Sequence, residues 1–202
     1  MTGNPDLEKA RQYVQSRLEH ELSPHLTYHS VEHTLKEVVP AVDQLATLEK
    51  LDRESHLLLL TAAYFHDLGF IYERQGHEAI SIQLVEQILP GFGYTDDQIA
   101  VIRGIIQATC LPQSPTNLLE RIMADADLDY LGHEDYWRRS SDFRKELDHY
   151  GKKFTDEEWF NFQLRFMQSH QYFTASERQL RDAAKQQYIL ELEQQLNELH
   201  NQ

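Results

Sequence analysis

Apolar residues recur at three- and four-residue intervals along almost the whole chain, and alternating runs of β-branched residues are scarce. That period is the signature of helices burying one face, so the chain is expected to be all-α, a bundle of about eight or nine helices. Helices are predicted over about 6–22, 31–47, 53–68, 76–89, 95–109, 116–125, 133–149, 155–171 and 175–200. The breaks between them have local causes: Ser23-Pro24, then Pro90-Gly91-Phe92-Gly93, then Leu111-Pro112-Gln113-Ser114-Pro115. Thr95 before Asp96 and Asp97, and Thr155 before Asp156-Glu157-Glu158, read as N-caps with acids in the first turn.

A length of 202 residues with 41% hydrophobic content suffices for one well-filled core and is short for two, so one domain is expected over 1–202. The last helix carries Leu180, Ala184, Tyr188, Leu192, Leu196 and Leu199 in a stripe spaced mostly by four. Packing on its own domain is the first reading, and a short coiled-coil or homodimer contact the alternative.

No segment approaches the roughly 20 apolar residues that span a bilayer, and Met1-Thr2-Gly3-Asn4-Pro5 lacks the pattern of an export signal. Cys110 is the one cysteine, which excludes an intrachain disulfide and a thiolate cluster and suits a reducing cytoplasm. The formal charge of −14 opposes binding of a nucleic-acid polymer across the general surface, while a small phosphate ester remains compatible.

Metal chemistry is suggested by His33, the adjacent pair His66-Asp67, and Asp127, a set of nitrogen and oxygen donors suited to a divalent ion. His66-Asp67 closes the apolar segment Leu57–Phe65. An aspartate at a helix C-terminus is electrostatically unfavourable unless a cation compensates, which is the main physical argument for a metal here. Asp125, Asp127 and Asp129 follow another apolar segment, and three acids within five residues require solvent or a cation. His33 has a competing reading as a hydrogen-bonded histidine between helices. Two histidines and two carboxylates would leave positions open on an ion, the arrangement of a catalytic rather than a structural site.

The order Tyr28-His29-Ser30-Val31-Glu32-His33, then His66-Asp67-Leu68-Gly69, then His77-Glu78, then Asp125-Ala126-Asp127-Leu128-Asp129-Tyr130 resembles the HD superfamily of metal-dependent phosphohydrolases. It is most similar to small stand-alone members whose last motif is like that of cyclic-nucleotide phosphodiesterases. The resemblance runs from about residue 28 to residue 174 and implies an HD-type helical domain. It also implies hydrolysis of a nucleotide or other small phosphorylated metabolite by metal-activated water.

By that resemblance His33, His66, Asp67 and Asp127 hold the metal, which is Mn, Mg, Co, Ni, Zn or Fe. His66, Asp67, His29 and His77 are the catalytic candidates, and His77 also contacts phosphate. Glu78 and Asp125 are expected as supporting partners of the ligands. Arg144 and Lys152 are the cationic candidates for substrate binding, since they follow the last motif as a basic stretch does in the family. Other basic residues, including Arg74, Arg138 and Arg139, are read as solvated, and the aromatic set, including Phe162 and Phe166, mainly as core.

Two-metal relatives carry a further histidine before the last aspartate. Here that stretch is Ile105-Ile106-Gln107-Ala108-Thr109-Cys110, which favours one ion over two and disfavours a di-iron oxygenase. A non-catalytic metal- or nucleotide-binding regulatory module is the other alternative.

Overall fold

A computed structural model describes residues 4–201, and among them there are nine α-helices and no strand. In order these are α1 (Leu7–Glu21), α2 (Val39–Leu48), α3 (Arg53–Phe65), α4 (His77–Ile88), α5 (Asp96–Gln107), α6 (Leu118–Asp127), α7 (Tyr136–His149), α8 (Asp156–Ser169) and α9 (Ala175–His200). Both threonine caps form as capping boxes, with Thr95 paired to Gln98 and Thr155 to Glu158.

Three departures from the sequence expectation matter for the site. The helix expected over 31–47 opens with a π-helical segment, His33–Val38, before α2. Such wide turns change the direction of the side chains they carry and concentrate at functional positions. The helix expected over 53–68 ends at Phe65, and a 3₁₀ turn follows at Leu68–Ile71, so Asp67 sits in the bend between them with φ −101° and ψ 3°. That exit is tight: a Cβ on Gly69 would lie 2.0 Å from the carbonyl oxygen of His77. Only glycine lets the α3 exit approach the start of α4 so closely. The helix expected over 116–125 runs instead over 118–127, making Asp125 and Asp127 part of the last turn of α6.

Two apolar clusters fill the interior. The larger joins α1–α6 through residues such as Val14, Leu45, Leu59, Ile102, Ile106 and Met123. The second joins Tyr28 and Leu131 to Tyr136, Met167 and Leu192 of α7–α9 and to Tyr172 in the segment between α8 and α9. Helix α9 packs on α8 and on the 3₁₀ turn Asp129–Gly132 of its own chain. Its buried face differs from the expected stripe: Glu177, Lys185, Ile189, Leu192 and Leu196 point inward, while Leu180 is exposed. The apolar pattern misplaced the phase because two charged side chains occupy buried positions in the first half of the helix. No described helix is long and apolar enough to cross a membrane.

Candidate metal centre and substrate pocket

Three segments bring the ligand candidates to one point where the two apolar clusters meet. The π-helical turn supplies His33, the end of α3 supplies His66 and Asp67, and the last turn of α6 supplies Asp127. His33, His66 and Asp127 each offer one donor atom, and these atoms lie within 4.8 Å of one another. His33 Nε2 is 3.3 Å from Asp127 Oδ1 and 3.7 Å from Asp67 Oδ2. His66 Nε2 is 3.2 Å from Asp67 Oδ2 and 3.4 Å from Asp127 Oδ1.

Hydrogen bonds on the far side of each imidazole leave the right nitrogen bare. The Nδ1–H of His66 donates to the carbonyl of Ala63 at 2.8 Å, and that of His33 faces Glu37 Oε2 at 3.2 Å. His77 repeats the arrangement, with Nδ1 3.1 Å from the carbonyl of Arg74 and Nε2 3.3 Å from Asp67 Oδ1. Each Nε2 lone pair is thereby turned toward the aspartates, as ligating histidines require. His66 Nε2 and Asp67 Oδ2 are buried and have no hydrogen-bond partner. A lone pair and a carboxylate oxygen left bare in an interior are costly, and a shared cation removes both costs at once. The residues present therefore fit a divalent ion held by His33, His66, Asp67 and Asp127.

The electrostatics agree. Burial disfavours the Asp67 carboxylate, yet the adjacent imidazoles of His66 and His77 hold its pKa well below the ordinary value. Burial likewise opposes Asp127, but the adjacent imidazoles of His33 and His66 bring it down to about 2. The two imidazoles are raised despite their burial, His33 by Asp127 and Glu37 and His66 by Asp67 and Asp127. Two ionised carboxylates in a dry site demand adjacent positive charge, supplied by imidazolium protons or by a metal that displaces them.

Beside this centre opens a cavity of about 670 Å³ lined by His29, Asp67, His77, Glu78 and Asp127 at one end and by Leu111, Leu128, Phe143, Phe162 and Phe166 around the rest. Of the aromatic set read as core, Phe162 and Phe166 line this cavity, whereas Phe65, Trp159 and Tyr172 are buried elsewhere. His29 and His77 both stack on one ring, Phe70, at 4.2 and 3.8 Å between centroids.

Several expected roles change. Asp125 supports no histidine; its oxygens accept from the backbone N–H of Phe173 and Thr174 at 2.7 and 2.8 Å, tying the start of α9 to the metal-bearing turn of α6. Arg144 is spent on Asp156 and the carbonyl of Phe154, pinning α7 to the start of α8, and Lys152 is exposed in the turn beyond α7. Neither lines the cavity. The reason is helical phase: Arg139, Phe143 and Glu146 share the α7 face turned inward, and Arg144 lies about 100° around from Phe143.

That same face carries residues the sequence reading did not single out. Glu146, fully buried, accepts from the backbone N–H of Tyr28 and His29 and from His29 Nδ1 at 2.6 Å. Burial opposes its charge, but the His29 contact and these amides lower its pKa. Arg139, expected in solvent, is 1% exposed, with Nε 3.0 Å from Glu37 Oε2, Nη2 donating to the Tyr28 carbonyl and its guanidinium over the Tyr28 ring. A chain Arg139–Glu37–His33 thus orients a ligand. The only sequence signal for it was Glu37, four residues after His33 and so on the same helical side.

No protein-family model matches the sequence, and no curated protein matches it. Solved structures do. One is a predicted HD superfamily hydrolase from an uncultured Thermotogales bacterium, 19% identical with a TM-score of 0.63, covering 98% of this chain and 93% of that one. Another is YpgQ of Bacillus subtilis in complex with ADP, 23% identical with a TM-score of 0.65, covering 94% of each chain. The helical order, the convergence of the motif residues and these two likenesses lead to one conclusion: the chain has the fold of the HD-domain superfamily.

Proposed function

We propose that this protein is a metal-dependent phosphohydrolase acting on a nucleotide or another small phosphate ester. The observation that carries the reading is the meeting of His33, His66, Asp67 and Asp127 beside a cavity large enough for a small molecule, with Asp67 and Asp127 in its wall. The ADP in the YpgQ structure supports a nucleotide-like occupant. When bound, the divalent ion supplies a lowered pKa to water and polarises a phosphoryl oxygen.

The protein's own groups account for the remaining steps. His33, His66, Asp67 and Asp127 orient the reacting centre, with Glu37 and Arg139 fixing the first of them. His77, held through Nδ1 by the Arg74 carbonyl, presents Nε2 to a phosphoryl oxygen. His29, whose Nδ1–H is held by Glu146, has its Nε2 free to hand a proton to the departing ester oxygen. In the balanced reaction a water oxygen bonds to phosphorus, the ester O–P bond breaks, and one water proton ends on the alcohol. The single cysteine and the net charge of −14 support action in the cytoplasm on small ligands rather than on polymers.

The test is metal content beside turnover. Protein purified anaerobically should hold about one divalent ion per chain and hydrolyse p-nitrophenyl phosphate or a nucleotide, and Asp67→Ala should lose both. An unchanged activity in Asp67→Ala would refute the site. Metal without turnover of any phosphate ester would favour a regulatory binding module, and two irons with oxygen consumption the oxygenase.

A further inference from the structure

The cavity beside the metal centre has an unusual charge inventory. Asp67, Asp127 and Glu78 place three carboxylates in its wall, and among the described residues no lysine or arginine lines it. Its imidazoles are His29 and His77, and its other polar groups, such as Tyr28, Tyr130 and Thr109, are neutral. Polyphosphate sites, by contrast, are built with Lys or Arg, because each added phosphate brings negative charge that one divalent ion cannot neutralise beside carboxylates.

The basic residues nearby are committed elsewhere. Arg144 is bonded to Asp156, and Arg74 stacks on Tyr150 at 3.8 Å. A second hollow of about 250 Å³, which shares Asp127 and is lined by His33, does contain Lys36, Arg138 and Arg181. Arg138, however, lies against Glu37, Asp135 and Asp142, and Arg181 against Asp129. With five carboxylates, Glu32, Glu37, Asp127, Asp129 and Asp135, against those three cations, that hollow does not favour a phosphate chain either.

Phe143, Phe162, Phe166, Leu111 and Leu128 make much of the remaining wall apolar. Of the polar groups in it, the hydroxyls of Thr109 and Ser169 donate to the carbonyls of Ile106 and Phe166, which leaves Gln163. Gln163 is 1% exposed and accepts through Oε1 from the Tyr136 hydroxyl, which leaves its NH₂ as the donor offered to an occupant. Aromatic walls with a single placed donor recognise a flat ring bearing one acceptor.

We infer that the cavity selects a substrate carrying one phosphoryl group on a flat, uncharged, aromatic body, and discriminates against di- and triphosphates of the same body. This rests on the phosphohydrolase reading above. The body lies between the aromatic rings, its acceptor meets Gln163, and its single phosphate reaches the metal centre, where His29 and His77 serve it.

The experiment compares kcat/KM of the manganese-loaded protein for the mono-, di- and triphosphate of one nucleoside, and for p-nitrophenyl phosphate against glycerol phosphate. The monophosphate should exceed the triphosphate by at least about tenfold, and the aromatic ester the aliphatic one by a similar factor. Leu111→Lys, a change at an exposed rim position, should narrow the first gap, and Phe162→Ala the second. Equal or faster turnover of the triphosphate overturns the inference while leaving the phosphohydrolase reading intact.

If no ester turns over, that reading fails and binding decides the inference separately. Trp159 is buried 5.6 Å from Phe162 and 6.0 Å from Phe143, so its fluorescence reports occupancy of the cavity. A nucleoside monophosphate binding more tightly than the triphosphate in that titration supports the selectivity; the reverse order overturns it.

Discussion

At the scale of single residues, the site depends on side chains whose value lies in what they hold. Glu146 is the clearest case, because it satisfies two backbone donors and one imidazole while fully buried. Glu146→Ala should cost about 2–4 kcal/mol, since it strands buried donors that water cannot reach. Glu146→Gln keeps an acceptor but removes the charge that holds His29. It should lower kcat by about 100-fold with metal content unchanged. Turnover measured beside metal analysis separates this role from a structural one: if metal and activity fall together, His29 is not acting as described. That Asp67, His66, His33 and Asp127 come together was expected from the order of the motifs, and for Asp67 also from a carboxylate at a helix end, which needs a compensating cation. Glu146 and Arg139 were not, since a charged residue on a helix looks solvated until the neighbouring helix is placed.

At the scale of elements, α9 shows how a polar residue can be built into a buried face. Both oxygens of Glu177 are buried without a hydrogen-bond partner. Burial, and the adjacent Asp129, raise its pKa from 4.5 to about 9. A raised folded-state pKa means that the folded protein binds this proton more tightly than the unfolded chain. The associated stability is therefore complete below about pH 4.5 and is lost as pH climbs toward about 9. Wild-type Tm should decline over that window relative to Glu177→Gln, and the variant should be the more stable form near pH 9 by several degrees. Parallel Tm curves for the two proteins would show that Glu177 is not protonated in the fold. The same helix explains why periodicity placed α9 correctly along the chain yet mistook its inward face: Lys185 and Glu177 occupy positions an apolar count assigns to solvent.

At the scale of the molecule, the candidate metal centre lies where two apolar clusters meet, α1–α6 on one side and α7–α9 on the other. An ion bound only by the folded chain must therefore stabilise the whole. At a concentration one hundred times its Kd, manganese should add about 2.7 kcal/mol, a rise in Tm of about 5–10 °C. Chelation should reverse the rise, and Asp67→Ala should show none; a Tm indifferent to metal would place no ion among these residues. The sequence by itself determined the helical class, most helix positions, both threonine caps and the order of the candidate donors, because each of these is written in contacts or chemistry a few residues long. Tertiary structure alone decided which donors support the centre and what shape of molecule fits beside it. The bonds that settle those questions, Tyr28 to Glu146 and Asp125 to Thr174, cross 118 and 49 residues of chain. Their geometry depends on how helices pack across the interior, and no local period encodes which side chains from distant helices meet there.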